Sequence, residues 1–419
     1  MSLKIIPLLL LLLTASCKDT KESAPEKAAV DLDEQRISQL IGFFNANAYQ
    51  PDRGTYYSEI DNEGGVVSEK IYNVALSRMI YGLAYASTFD TSYLDKAARS
   101  AAFQLVNLTK SDDPGKYFLS FYDARTEDAP PATGLDIWQQ AYGLCGLSEL
   151  YRVRPDTGLL AVIHAHHDDF VSRFHDKTNG GFYGNYDLKN GQISGSKSLQ
   201  ALVYPITAYM ENLWKADAAN RDKYVPYLRE NLALAYTHGW NRDLGWVNIR
   251  FDDEWNACRP AAEDTPCAMV SPGHNFQYAS LLLRAKNWDF LTPAEVKQYN
   301  LLGMEVLDST LKKPIYTAGD PSRGFYSEVN PLTDQVTDYR KTWWQHCEAL
   351  IALSLAGGEY TNEVAGLERF YFAHFVDPEY GGEYFYLDQD DQPEFGELKG
   401  GIGKSAYHTV EMIRFLRNP

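Results

Sequence analysis

The chain reads as an all-α protein, an (α/α)6 barrel with short β-hairpins at one end. Three observations predict it. A short segment carrying aromatic residues, Gly and Asp is followed by a long apolar, helix-periodic run, and this recurs six times at a spacing of roughly 65 residues. Further helical segments fill the gaps, so each unit supplies an inner and an outer helix. The aromatic segments alternate as strands do, which sets hairpins at one end of the ring.

The N-terminus is read first. Lys4 precedes an apolar run from Ile5 to Leu13, then Thr14-Ala15-Ser16 and Cys17. The run is too short to cross a bilayer as a mature helix. Small residues immediately before Cys resemble a bacterial lipoprotein signal. Residues 1–16 are therefore expected to be a signal peptide, with Cys17 as the lipidated N-terminus of an exported protein anchored to a bacterial membrane, periplasmic or surface-exposed. An ordinary secretory signal cleaved nearby is the alternative. The polar stretch that follows makes residues 17–31 a flexible tether, and residues 32–419 a single catalytic domain.

The six units follow in order. Gly54-Thr55-Tyr56-Tyr57 leads to a helix over Asn73 to Ala86, and Tyr117 to Tyr122 to one over Ile137 to Tyr151. Gly180-Gly181-Phe182-Tyr183 leads to Ser198 to Lys215, and Leu244-Gly245-Trp246-Val247 to His274 to Ala285. Arg323-Gly324-Phe325-Tyr326 leads to Trp343 to Leu355, and Tyr380 to Tyr384 to Tyr407 to Leu416. Leu94 to Leu108, Thr157 to Phe174, Tyr224 to His238 and Glu295 to Leu311 read as outer helices. The Pro-rich stretches Asp128 to Pro131 and Arg259 to Pro272 read as loops on the active face.

Composition narrows the function. A net charge of −17 over 419 residues argues against a general nucleic-acid binder, which needs a basic face. Export permits disulfides. Cys145 and Cys347 sit in apolar helical runs and read as buried thiols. Cys258 and Cys267 flank a Pro-rich loop and either close a small disulfide or stay reduced; their spacing does not fit a zinc site. His164, His166 and His167 with Asp168 and Asp169 look like a metal cluster, but adjacent residues of one helix do not face one way. They read as a solvated face, and no metal or cofactor is expected.

Chemistry concentrates where inner helices begin. Ser271-Pro272-Gly273 is a breaker and a flexible residue before helix, so His274 sits in a first turn, where the helix dipole favours neutral imidazole. His408, after Lys404 and Tyr407, holds the equivalent place in the last unit. Two imidazoles on opposite faces of one carbon suit 2-epimerisation of a sugar: one takes the proton alpha to the carbonyl, the other returns it. Trp343 and Trp344 offer stacking surfaces for a pyranose. Glu348 offers a carboxylate to hydroxyls, beside His346. Arg340 and Lys341 just before either line the mouth or are solvated. Arg78, inside an apolar helix, needs a substrate oxygen or a buried ion pair.

These segments together resemble the N-acylglucosamine 2-epimerase superfamily, which includes cellobiose 2-epimerases and aldose–ketose isomerases. The matching stretches are Gly180 to Tyr183, Pro272-Gly273-His274, Trp343-Trp344-Gln345-His346-Cys347-Glu348-Ala349-Leu350, and Tyr380 through Lys399-Gly400-Gly401 to His408. The resemblance implies the (α/α)6 barrel, His274 and His408 as acid/base pair, Arg78, Trp344 and Glu348 as substrate contacts, and chemistry without a cofactor. Three departures stand out. Gln277 replaces the usual Glu one turn after the first His. Glu411 replaces a common Arg three residues after the last. Tyr204, followed by Thr207, stands where disaccharide epimerases carry a further His.

The expected function is therefore a carbohydrate 2-epimerase or aldose–ketose isomerase acting on a sugar or oligosaccharide. His274 and His408 are catalytic, and Arg78, Gln277, Tyr326, Trp343, Trp344, His346, Glu348, Lys404 and Tyr407 bind substrate. The first alternative is a polysaccharide lyase cleaving a uronic-acid polymer by β-elimination. There Gln277 removes an anion, Asn275, His346 and Arg78 neutralise the carboxylate, and Tyr326 or Tyr407 donates the proton. A second alternative is a non-catalytic sugar-binding lipoprotein. A glycoside hydrolase, which needs two carboxylates across a cleft, ranks below them, with Glu348 and Asp136 as its pair.

Overall fold

The computed structural model describes residues 24–111, 115–260 and 267–418. Outer and inner helical positions alternate along the chain. Outer α1 (Ala24–Asn47) is followed by inner α2 (Asn73–Ala86). Outer α3 (Ser92–Asn107) precedes the inner pair α4 (Ile137–Gly143) and α5 (Cys145–Val153). Outer α6 (Thr157–Phe174) precedes the inner pair α7 (Leu199–Pro205) and α8 (Glu211–Ala216). Outer α9 (Val225–His238) precedes inner α10 (Pro272–Leu283), outer α11 (Pro293–Leu311) precedes inner α12 (Trp343–Ala356), and outer α13 (Thr361–His374) precedes inner α14 (Tyr407–Arg417).

The split between inner and outer follows from the sequence. Every residue of α2 is buried, and a helix apolar on all sides belongs inside a ring. By contrast α3 buries only a stripe of Ala97, Ser100, Ala101, Phe103 and Gln104. Starts are marked locally: Asp156 accepts from Leu159 N–H to cap α6, and Thr292 and Glu295 form a reciprocal capping box on α11 with Pro293 in the first turn.

Two inner positions that read as continuous helices are interrupted. Between α4 and α5 the Ser77 hydroxyl of α2 donates to Gly143 O at 3.0 Å and accepts from Gly146 N–H at 2.9 Å. A neighbouring side chain has inserted into the backbone ladder. Between α7 and α8 a π-helical turn, Ile206–Met210, follows Pro205, whose missing N–H breaks the α pattern.

The ring closes where α14 meets α2. A Cβ on Gly82 would stand 2.5 Å from Ala406 Cβ, so only glycine lets these helices touch. The far end of the barrel is filled by ion pairs. Arg284 donates to Glu211 at 2.6 Å and to Glu411 at 3.4 Å, while Arg414 donates to Tyr81 OH at 2.8 Å.

At the opposite end short antiparallel pairs link successive units. Lys70–Tyr72 pairs with Phe121–Asp123, Gly134–Asp136 with Asn185–Asp187, Lys197–Ser198 with Arg250–Phe251, and Lys341–Thr342 with Tyr386–Leu387. Each first-named strand runs straight into an inner helix. The N-termini of those helices therefore open onto the hairpin end.

The structure corrects several expectations. The flexible tether expected for residues 17–31 gives way to helix at Ala24: Pro25 suits a first turn, and the Ala, Glu and Lys that follow are strong helix formers. Residues 1–23, with the expected signal peptide and Cys17, lie outside the described residues. No helix among the described residues is long and apolar enough to cross a membrane. The His164–Asp169 run is not a solvated face. His166 stacks on Phe118, His167 meets Tyr209 OH at 3.0 Å, and Asp169 pairs with Arg173 at 2.8 Å. Cys258 and Cys267 form a disulfide; Cys145 and Cys347 are buried thiols.

Candidate active site

A cavity of about 440 Å³ opens at the hairpin end, lined by residues from all six inner positions and from the loop before α14. Arg78 comes from α2, Trp138 and Tyr142 from α4, and Tyr204 from α7. His274 and Gln277 come from α10, Trp343 and Trp344 from α12, and His408 from α14. Glu59, Phe385, Glu397, Leu398 and Gly401 to Lys404 complete the wall. A larger cleft of about 640 Å³ between α1 and α13 holds neither histidine.

The Pro272-Gly273-His274 opening of α10 has a steric cause. Gly273 N–H donates to Gln345 Oε1 at 2.8 Å, and a Cβ on Gly273 would lie 2.5 Å from Gln345 Cγ. That close approach fixes where His274 enters the cavity. Nε2 of His274 lies 3.0 Å from the amide nitrogen of Gln200. The amide can only donate, so Nε2 accepts and the ring proton sits on Nδ1. Nδ1 itself has no hydrogen-bond partner among the described residues. Burial draws the His274 pKa down to about 4, against the negative charge of Glu348 and with the help of Arg250. At neutral pH His274 is an uncharged base.

His408 is set differently. Its Nδ1 lies 3.4 Å from Glu348 Oε1, and that same oxygen accepts from Gln277 at 3.3 Å. Burial lowers the His408 pKa, and the contact with Glu348 works against that loss. Trp344 stands beside both imidazoles, with ring centroids 5.5 Å from His274 and 6.2 Å from His408.

Arg78 lies over the rings of Tyr142 at 4.0 Å and of Tyr407 at 5.3 Å, and its Nη1 donates to Gly403 O. Its Nε has no hydrogen-bond partner, and no carboxylate pairs with it among the described residues. The guanidinium is thus held by aromatic faces and keeps donor capacity for an oxygen in the cavity. Lys404 lines the wall with its Nζ turned to Glu383 O at 2.6 Å and Lys399 O at 2.9 Å; burial lowers its pKa to about 8.

Four expected substrate contacts do not line this cavity. His346 is a core residue: its Nδ1 donates to Thr342 O at 2.8 Å, its Nε2 accepts from Phe325 N–H at 3.2 Å, and it stacks on Phe325. Tyr407 lies beneath the floor, donating to Thr207 O at 3.1 Å. Tyr326 packs on Tyr339 at the hairpins. Glu348 stands behind the wall and holds His408 instead of meeting hydroxyls. Lys341 is neither at the mouth nor solvated. It is fully buried, paired with Asp391 at 2.7 Å.

Conversely, Trp138, Tyr142 and Gln200 were not expected, and Tyr204, noted only as a departure from the family, lines the cavity. One signal was present. Trp138 is the second residue of α4, as Trp344 is of α12 and His408 of α14, so aligning the helix starts points to it. Tyr142 follows one turn later on the same face. No group of His, Cys, Asp and Glu side chains able to hold a metal ion occurs among the described residues.

The chain is similar to known sugar epimerases and isomerases. Residues 54–412 match the family model for N-acylglucosamine 2-epimerase (GlcNAc 2-epimerase). The N-acylglucosamine 2-epimerase of Mus musculus is 24% identical over 400 residues, covering 91% of this chain and 89% of that protein. The cellobiose 2-epimerase of Bacteroides fragilis is 20% identical over 408 residues, covering 91% of this chain and 96% of that protein. The crystal structure of a D-mannose isomerase superposes with a TM-score of 0.77 at 18% identity, covering 95% of this chain and 99% of that one.

Proposed function

Because the chain belongs to the N-acylglucosamine 2-epimerase family, we propose that it catalyses 2-epimerisation or aldose–ketose isomerisation of a reducing sugar. One observation carries the reading: His274 and His408, from different inner helices, line one cavity and share Trp344 between them.

The steps follow from the groups present. The open-chain sugar presents a C2–H made acidic by the neighbouring carbonyl. Neutral His274 takes that proton on Nε2, its unprotonated nitrogen, as the Gln200 amide gives up its contact there, and the negative charge that develops on oxygen is met by the Arg78 guanidinium. His408, its charged form supported by Glu348, supplies a proton from the other side, and the configuration at C2 is inverted. Return of the proton to C1 gives the ketose instead. The indole of Trp344 provides an apolar face for the sugar carbons.

No observation favours β-elimination. Tyr326 and Tyr407, the donors that chemistry was expected to use, lie outside the cavity wall, and His346 and Asn275 are buried in the core. The test is incubation with reducing monosaccharides and disaccharides in deuterium oxide. Deuterium at C2, with turnover abolished by His274→Ala and by His408→Ala, supports the reading. Sugars that stay undeuterated in the presence of folded protein refute it.

We also propose that the chain is exported and lipid-anchored through Cys17, on the strength of Lys4, the apolar run to Leu13 and the small residues before the cysteine. Expression in a bacterial host with radiolabelled palmitate tests this. Label lost in Cys17→Ala supports the anchor, and an unlabelled full chain refutes it.

A further inference from the structure

The contact between Gln200 and His274 joins two inner helices, and the chain joins their entries a second time through sulfur. Gln200 is the second residue of α7. The start of that helix is fixed by Lys197–Ser198 pairing with Arg250–Phe251 and by Leu199 N–H donating to Ile249 O at 3.3 Å. The Arg250–Phe251 strand then turns back on itself. Phe251 pairs with Ala257, and Cys258 N–H donates to Arg250 O at 2.9 Å. Cys258 is thus built onto the entry to α7. Its disulfide partner, Cys267, begins the run that passes through Ala268 and Gly273 into His274.

Elsewhere that run leans the other way. Val270 exchanges both backbone hydrogen bonds with Val329 at 3.0 Å, and Gly273 N–H donates to Gln345 Oε1 on α12 at 2.8 Å. Towards α7 there is open space. A volume of about 640 Å³ is walled by Gln200 and Arg250 from the α7 side and by Met269, Ser271 and His274 from the α10 side. Side-chain packing does not fill this gap, and the disulfide crosses from one side to the other with its Cα atoms 6.2 Å apart. Disulfide stabilisation of a whole fold grows with the loop that is closed. This loop has a sequence separation of only 9, so its place beside the base points to a local task. Cys267 is buried and Cys258 half-buried, which leaves one sulfur within reach of a reductant.

We infer that the Cys258–Cys267 disulfide is a positioning element for His274, so that turnover depends on an oxidising compartment. The bond holds the entry to α10 against the entry to α7. Nε2 of His274 thereby meets the Gln200 amide, and the base enters the cavity in one tautomer and one orientation. On reduction, one thiolate of a dithiol attacks a cysteine sulfur and the S–S bond breaks. The second sulfur of the dithiol then releases that cysteine. Two electrons and two protons have passed to the pair, and the dithiol has become its own disulfide. The entry to α10 keeps Val329 and Gln345 and loses its covalent tie to α7. This inference rests on the epimerase or isomerase reading of the cavity and adds a separate claim about its redox state.

The test compares the full chain before and after dithiothreitol, and after reoxidation, by two readouts. The first is steady-state kinetics on the best sugar. The second needs no turnover: diethyl pyrocarbonate labels unprotonated imidazole nitrogen, and peptide mass spectrometry reads His274, with His408 as internal reference. Reduction is expected to lower kcat tenfold or more with KM little changed. It should speed His274 labelling tenfold or more while His408 labelling and the far-ultraviolet circular dichroism stay constant. Reoxidation should restore all of these values. Cys258→Ser combined with Cys267→Ser should match the reduced protein and ignore the reductant. Equal kcat and equal His274 labelling in both redox states overturn the positioning role and leave the proton chemistry standing. A loss of kcat accompanied by loss of circular dichroism, or by faster labelling of both histidines, also overturns it, because the bond then supports the fold at large. Redox-dependent labelling of His274 alone, with no sugar turned over in either state, keeps the positioning role and refutes the proton chemistry.

Discussion

Glu348 Oε1 lies 3.4 Å from Nδ1 of His408, and among the described residues no carboxylate stands in the same relation to His274. The two imidazoles are therefore unequal: one is buried against a carboxylate, the other against an amide. Glu348→Gln removes the charge and keeps the shape. Removing a whole acid or base costs about 10²–10⁴ in rate; loss of its supporting charge should cost kcat roughly 10- to 100-fold with KM little changed. Steady-state kinetics on the best sugar checks this. A rise in KM at constant kcat would return Glu348 to the role of hydroxyl contact.

Acid should unfold the protein before it silences His274. Burial depresses the pKa of His166 and His346 to about 3, and of His167 and His274 to about 4. The unfolded chain binds these protons near the ordinary pKa of 6.5 and the folded chain does not. Stability is complete above 6.5 and is lost as pH falls towards 4. Each pKa unit is worth about 1.4 kcal/mol, so four such groups together reach the order of the whole margin of about 5–15 kcal/mol. Activity and far-ultraviolet circular dichroism should fall together, steeply, between pH 6 and 4. A one-proton activity limb near pH 4 with the circular dichroism intact would contradict this.

Tyr407 separates two readings of the floor. It was expected to touch substrate, yet its hydroxyl donates to Thr207 O in the π-helical turn. Tyr407→Phe should lower stability by about 1 kcal/mol, because a half-buried carbonyl loses its donor. It should leave kcat within about threefold. Urea unfolding and kinetics on one preparation decide. A hundredfold loss of kcat with stability unchanged would make Tyr407 a proton donor after all.

Much of this was legible because the inner helices are apolar all round and follow hairpins. The bounds Asn73–Ala86 for α2 and the starts of α12 at Trp343 and of α14 at Tyr407 follow from the pattern alone. The break between α4 and α5 does not, since its cause, Ser77, comes from another helix. His346 was legible and misread. Trp344 and Glu348 are one turn apart on one face, and helical rotation carries His346 to the other. The same periodicity runs through Ile163, His167, Phe170 and Phe174, the buried stripe that takes His166 and His167 inside. Gln200 carried no signal, because nothing local marks an amide that will meet an imidazole 74 residues away.

The Lys399-Gly400-Gly401 block has a structural task that the third unit repeats. Asp377 accepts from the backbone of Glu379 and Tyr380, and Lys399 pairs with Asp377 at 2.5 Å and donates to Gly381 O at 2.8 Å. Asp176 accepts from Thr178 and Asn179, and Lys197 pairs with Asp176 at 2.6 Å and donates to Gly180 O at 3.0 Å. Both turns carry two successive glycines at φ between 70° and 75°, a region closed to other residues at this cost. Both lysines are fully buried. Breaking a buried pair by removing one partner costs about 3–5 kcal/mol, so Lys399→Met and Lys197→Met should each lower unfolding stability by that order in urea. Lys399→Met should also depress kcat/KM, because Leu398 and Gly401 to Lys404 form the cavity wall. Lys399→Met with Asp377→Leu, which removes both charges, should recover part of the stability. A double variant less stable than the single one would show that the turn depends on the Asp377 backbone contacts and not on the pair.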